Sequence, residues 1–188
     1  MNTKLIIGLG NPEPHRALNR HNIGRILVKS YIRFNNIQPG IFRGAQNIAV
    51  NYSFSQQSNA LFLRPEDGMN LSGVPVNFLC GNLKIAPENI LVIHDDIDFE
   101  FGIVRIKQGG GSGRHKGIQS IIDVIGPNFL RLRMGIGKPK EGTLLQHVLS
   151  DFSVRERDCF CELSFLGTQI IKSFLINNNQ KVMSEFNK

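Results

Sequence analysis

Short apolar runs alternate with helically spaced apolar stripes along this chain, and that interleaving restricts the fold more than any other feature. Residues 4–9 form an apolar run that reads as a buried strand. It stops at Gly10-Asn11-Pro12, where glycine allows unusual dihedrals and proline withholds a backbone donor. Ile23, Ile26, Leu27, Ser30, Tyr31 and Phe34 then recur at helical spacing, predicting an amphipathic helix from about residue 22 with His21 at its entrance. Residues 48–54 alternate and residues 60–63 are apolar, which predicts two strands joined by the polar turn at 55–59. A helix over 72–83 and a strand over 90–93 follow, and the strand runs directly into His94-Asp95-Asp96.

Further along, residues 102–107 read as a strand, the glycine-rich 109–113 as a loop, and 115–125 as a helix ended by Gly126-Pro127. Leu130, Leu132, Met134 and Ile136 alternate with Arg131 and Arg133, the pattern of a strand with one wet, basic face. Ser153 and Glu156 match a capping box, and Phe160, Leu163, Leu166, Ile170 and Phe174 make the stripe of a long C-terminal helix. The order predicts an α/β protein, one domain over 1–188, with a mixed, mostly parallel, twisted sheet flanked by helices on both faces. A length of 188 residues fits that single core, and no internal repeat or linker interrupts it.

Three cysteines, Cys80, Cys159 and Cys161, with no C-x-x-C pair argue against a disulfide framework or a zinc site and point to a reducing compartment. The N-terminal apolar run is too brief for a secretory signal and no stretch approaches a membrane span, so a cytoplasmic protein is expected. Residues 105–140 hold eight basic side chains and one acid and carry the whole net charge of +7; the rest of the chain balances. Such a patch suits a polyanion, although a solvated basic face would have the same composition.

Individual motifs are ambiguous. Gly8-Leu9-Gly10 after a strand invites a dinucleotide site, but the third glycine of the fingerprint would be Glu13, whose carboxylate opposes a pyrophosphate. The later glycine tract lacks the Lys-Ser/Thr ending of a P-loop, and its backbone N–H groups suit either a phosphate or a plain turn. Asp96, Asp98 and Glu100 mimic the start of a calcium loop whose turn glycine and closing glutamate are missing. No dense metal-ligand spacing occurs, so a metal site is not expected. His21 and Asp95 could form a base and its orienting carboxylate if the fold joins them. Asn11 and Asn70, both beside glycine, could orient a water, donate to a carbonyl, or cap a helix.

Five motifs in order, Gly8-Leu9-Gly10-Asn11-Pro12, Arg20-His21-Asn22-x-Gly24, Met69-Asn70-x-Ser72-Gly73, His94-Asp95 with Asp98, and Gly109-Gly110-Gly111, followed by the basic strand and Gly135-Ile136-Gly137-Lys138-Pro139, resemble bacterial-type peptidyl-tRNA hydrolase over nearly the whole chain. That resemblance implies a monomeric, cytoplasmic, cofactor-free enzyme acting on the acceptor end of peptidyl-tRNA, without membrane or protein partner. It would cleave the ester between peptide and terminal ribose. The resemblance implies His21 as general base, Asp95 as its orienter, Asn11 as a substrate-selecting contact and Asn70 as a holder of water or substrate. Lys107 and Arg133, with Arg105 and Arg131 nearby, would grip the tRNA backbone through its phosphates and shape.

Some positions depart from the family pattern. Glu13 stands in place of the usual glycine, Arg16 of a tyrosine, Asp67-Gly68 of a threonine and an aromatic, and Lys116 of an asparagine that anchors substrate and water. At the substrate-lining positions Arg16, Gly68 and Lys116, aromatic or amide surface is thus lost, and at two of them charge is gained. A non-catalytic RNA-binding relative that keeps fold and basic face is the alternative, although binding alone would not require His21, Asp95, Asn11 and Asn70 together.

Overall fold

The computed structural model describes residues 2–12, 16–43, 49–139 and 141–187. Seven strands, β1 (Lys4–Gly8), β2 (Gln38–Arg43), β3 (Ala49–Ser55), β4 (Ala60–Leu63), β5 (Ile90–Asp96), β6 (Val104–Gln108) and β7 (Leu130–Gly135), form one sheet in the order β2-β3-β4-β1-β5-β7-β6. The central strands β4, β1, β5 and β7 are parallel; β3 and β6 run against their neighbours. The expected mixed, mostly parallel α/β sheet is therefore the fold.

The helices are α1 (Ile23–Phe34), α2 (Gly73–Leu83), α3 (Lys116–Ile125), α4 (Leu144–Leu149), α5 (Val154–Asp158), α6 (Phe160–Ile176) and α7 (Asn179–Phe186). One face of the sheet buries Ile6, Leu91, Ile93 and Leu132 against Leu27, Val28 and Tyr31 of α1 and Ile170 and Phe174 of α6. The other buries Leu5, Ile7, Leu63 and Val92 against Val76 and Leu79 of α2 and Ile118 and Ile121 of α3. The alternation of apolar side chains along each central strand serves both faces, which is why these strands read as continuous apolar runs. Because α1 follows β1 on one face while α2 follows β4 on the other, a crevice opens at the carboxyl ends of the parallel strands.

Close backbone contact locks that crevice. A Cβ on Gly24 would lie 2.1 Å from the Ile93 carbonyl oxygen, so only glycine lets the first turn of α1 rest on the end of β5. Leu9 N–H donates to that same carbonyl at 3.0 Å, and Arg25 N–H donates to the Leu9 carbonyl at 2.8 Å. The segment before α1 is thereby held beside the end of β5.

Several expectations need correction. Phe34 is exposed and Val28 takes its place in the buried stripe of α1. Strand β2 was not predicted because its sequence carries Pro39 and Gly40; as an edge strand it tolerates both, and the Tyr52 ring fits where Gly40 has no side chain. The capping box at Ser153 heads the five-residue α5, and a break at Cys159 separates it from α6. The short helices α4 and α7, capped by Thr143 and Asn178, offer too few residues for a readable stripe. Ile48, Glu13 and Lys140 lie outside the described residues. No described helix is long and apolar enough to cross a membrane.

Candidate active site

His21 lies in a 3-10 turn, Arg20–Asn22, between β1 and α1. Its neighbours pin the turn from both sides. The Arg20 guanidinium donates to both carboxylate oxygens of Glu156 at 2.9 and 2.7 Å, to Ser150 Oγ at 2.9 Å and to the Asp151 carbonyl. Asn22, fully buried, accepts from Asn11 N–H at 2.6 Å and donates to the carbonyls of Asn11 at 3.0 Å and Arg16 at 2.7 Å. Residues 11 and 16 are thus tied to the turn that presents the imidazole.

Asp95 is the penultimate residue of β5. His21 Nδ1 lies 2.8 Å from Asp95 Oδ1, and the same oxygen lies 3.0 Å from Nε2 of His115. His115 caps α3, its Nδ1 accepting from Ile118 N–H at 3.2 Å. That acceptor role leaves the His115 proton on Nε2, where it donates to Asp95. In His21 the carboxylate favours the proton on Nδ1, so its Nε2 lone pair is the one left open. Of the two histidines on Asp95, only His21 keeps a basic nitrogen without a partner among the described residues. Burial alone would raise the Asp95 carboxyl, but the two imidazoles outweigh it and hold the group well below the usual carboxylate range.

His94, one residue earlier, is buried with Nδ1 2.7 Å from the Asp95 carbonyl, and its ring meets His115 edge-on at 5.0 Å. Burial first, and then the neighbouring His115, pushes its pKa down to about 3, so the ring is neutral and Nδ1–H donates. Its Nε2 has no hydrogen-bond partner among the described residues. Because the folded value lies below the usual 6.5, the unfolded chain takes up a proton that the folded chain refuses, and stability falls as pH drops from about 6.5 towards 3. Urea unfolding should lose about 2 kcal/mol between pH 7 and pH 5 from this group, and His94→Phe should flatten that dependence. An unchanged slope in the variant would remove His94 as its source.

The turn, the end of β5 and the start of α3 enclose a cleft of about 600 Å³. Asn11 and Asn70 line it along with His21, Asp95 and His115, and so do Arg16, Gly68 and Lys116. Asn70 belongs to the 3-10 turn Met69–Leu71 and its side chain makes no hydrogen bond among the described residues, so its amide is available to a ligand. An apolar wall comes from Leu144, Leu145, Val148 and Leu149 of α4. Asp67 is exposed and does not line the cleft.

The basic strand residues lie elsewhere. Arg105 pairs across from Arg133 and Lys107 from Arg131, all four on one face of the β6–β7 edge. Lys107 and Arg105 are exposed, and the Arg133 Nε donates to Asp96 at 2.6 Å. Arg131 corrects the expectation of a wet basic face. It is buried, donates to the carbonyls of Gly110 at 2.5 Å and Gly111 at 2.6 Å, and stacks on Phe129. The glycine tract folds over this strand, and Arg131 braces the loop from beneath it.

His115, His94 and Asn22 were missed as site residues. His115 looked like an ordinary helix start, which it also is; its position two residues past the glycine tract was the one available signal. The atoms of His21, Asp95 and His115 that could hold a metal lie within 4.8 Å of one another, but all three already hydrogen-bond among themselves, so an ion would have to displace both imidazole protons.

A mixed α/β sheet with an open cleft at the carboxyl ends of its parallel strands, holding a carboxylate-braced imidazole, is the arrangement of an α/β enzyme equipped for acid–base chemistry. The family model described as peptidyl-tRNA hydrolase matches residues 5–188, and the chain belongs to that family. It is 37% identical over 186 residues to the peptidyl-tRNA hydrolase of Syntrophotalea carbinolica, covering 98% of this chain and 96% of that one. The Pseudothermotoga lettingae peptidyl-tRNA hydrolase is 39% identical over the same shares of the two chains. The crystal structure of peptidyl-tRNA hydrolase from Acinetobacter baumannii superposes with a TM-score of 0.86 at 31% identity, covering 99% of this chain and 95% of that one.

Proposed function

We propose that this chain hydrolyses the ester joining the C-terminus of a peptide to the terminal ribose of tRNA, with His21 as general base. The observation that carries the reading is the His21 imidazole, braced through Nδ1 by Asp95 and open at Nε2 to a cleft, in a member of this family. His21 Nε2 takes a proton from a water whose oxygen attacks the ester carbonyl carbon. The bond from that carbon to the ribose oxygen then breaks, and the imidazolium returns its proton to the departing oxygen. Free tRNA and a peptide carboxylic acid result, and the acid ionises in solvent. An ester is activated enough that water deprotonated by imidazole suffices if donors stabilise the oxyanion. The unengaged amide of Asn70 is placed to do so, and Asn11, held by Asn22, contacts the substrate beside it.

The acceptor end of tRNA is the partner in this reading, met by one copy of the chain in the cytoplasm. Arg105, Lys107 and Arg133 face it from the β6–β7 edge, outside the cleft. Lys107→Ala should weaken tRNA binding and reduce the slope of log affinity against log salt by about one. Arg133→Ala should change that slope less, because its charge is already shared with Asp96. Titrations at several salt concentrations check both, and an unaltered slope for Lys107→Ala would take β6 out of the interface.

The deciding assay is release of the acyl group from N-acetylated aminoacyl-tRNA compared with the unblocked form. Hydrolysis of the blocked substrate is expected. No release above the spontaneous rate would leave the chain as an RNA-binding relative.

A further inference from the structure

Among the described residues, the cleft carries a charge that its own side chains do not balance. Both acids in its lining are already engaged: Asp95 by two imidazole N–H groups, Asp96 by the Arg133 guanidinium. Arg114 and Lys116 also line it, both are exposed, and neither has an ion-pair partner among the described residues. The unbalanced charge facing a ligand is therefore positive.

Neither placement favours the fold. Lys116 is the first residue of α3, where the helix macrodipole already presents positive charge and an acidic residue would be preferred. Arg114 has φ of 66°, a left-handed backbone that glycine adopts more readily. Cations at locally unfavourable positions on the rim of a reaction cleft point to a ligand. They stand one residue to either side of His115, whose ring centroid is 4.9 Å from that of His21. An ester held at His21 thus lies within the span of a long arginine or lysine side chain.

We propose that Arg114 and Lys116 select substrates whose peptide carries a carboxylate side chain close to the scissile ester. This rests on the hydrolase reading above and names the acyl class that the same cleft prefers. A peptide carboxylate is favoured over an RNA phosphate by the rest of the cleft. The wall facing the ligand from α4 is built of Leu144, Leu145, Val148 and Leu149, which suits peptide side chains, while Arg105, Lys107 and Arg133 lie outside the cleft on the β6–β7 edge. A charge-assisted hydrogen bond to a partly solvated carboxylate corresponds to roughly tenfold in kcat/KM.

One tRNA charged with N-acetylglutamate or with N-acetylglutamine provides an anionic acyl group and its neutral isostere on the same RNA. For the wild-type chain, kcat/KM should be roughly tenfold higher for the glutamate ester. In the double variant R114Q/K116Q the ratio should fall to near one, and because both esters share the same chemistry, any disturbance of His115 cancels in the ratio. A wild-type ratio near one, or a variant that keeps the preference, overturns the proposal. A variant that loses activity equally on both esters from a wild-type ratio of one assigns the two cations to an RNA phosphate instead. Absence of hydrolysis of either ester by the wild-type chain overturns the hydrolase reading and the selection with it, whereas turnover of both at equal rates overturns the selection alone.

Discussion

His21→Ala is expected to lower turnover of peptidyl-tRNA by roughly 10²- to 10⁴-fold or more while scarcely changing tRNA affinity. Its Nε2 is the one nitrogen of the two imidazoles on Asp95 left without a partner among the described residues, whereas His115 spends one nitrogen on Ile118 N–H and the other on Asp95. The loss should fall in kcat, because proton transfer belongs to the transition state and the basic strand residues proposed to meet RNA lie outside the cleft. Single-turnover rates at saturating enzyme, together with binding titrations, separate the two quantities. A variant with the parental rate would reject His21 as the base.

Asp95→Asn should be nearly as severe, again roughly 10²- to 10⁴-fold in turnover, for a different reason. One carboxylate oxygen accepts from both His21 and His115, and an uncharged amide holds two N–H donors less strongly. If the amide turns its NH2 towards His21, it donates to Nδ1 and moves the ring proton to Nε2, which abolishes the base without moving the ring. Nitrogen-15 NMR of the imidazoles reads that exchange of tautomers directly, and a variant that kept both its rate and the wild-type tautomer would remove Asp95 from the mechanism. The carboxyl also contributes to stability with a definite sign. Its folded pKa is depressed, so its contribution is complete above the usual carboxylate range and is lost as pH falls through the folded value.

Much of the architecture was legible because the central strands are apolar on both faces and the main helices carry long stripes. Residues 4–9, 60–63 and 90–93 correspond to β1, β4 and β5, and the stripe from Ile23 to α1. What local pattern could not reveal were elements stabilised from outside themselves. Strand β2 depends on pairing with β3 despite Pro39 and Gly40, and α4 depends on a cap and on the edge of the cleft. Arg131 shows the same effect in a single side chain. Alternation placed it on a basic face, but whether that face is wet depended on where the glycine tract folds.

The candidate site divides along the same line. Residue type and position at element ends raised His21 and Asp95 as a candidate pair and the family resemblance singled out Asn11 and Asn70, while His115 was hidden in the role of a helix cap. By itself the sequence determined the central strands, the longer helices and the residues able to carry charge or a proton, because those depend on spacing within a few turns of chain. The meeting of His21 with Asp95, 74 positions apart, and of both with His115, was decided only by tertiary structure. It requires β1 beside β5 in parallel register and Gly24 against the Ile93 carbonyl, contacts between distant segments that no local periodicity encodes.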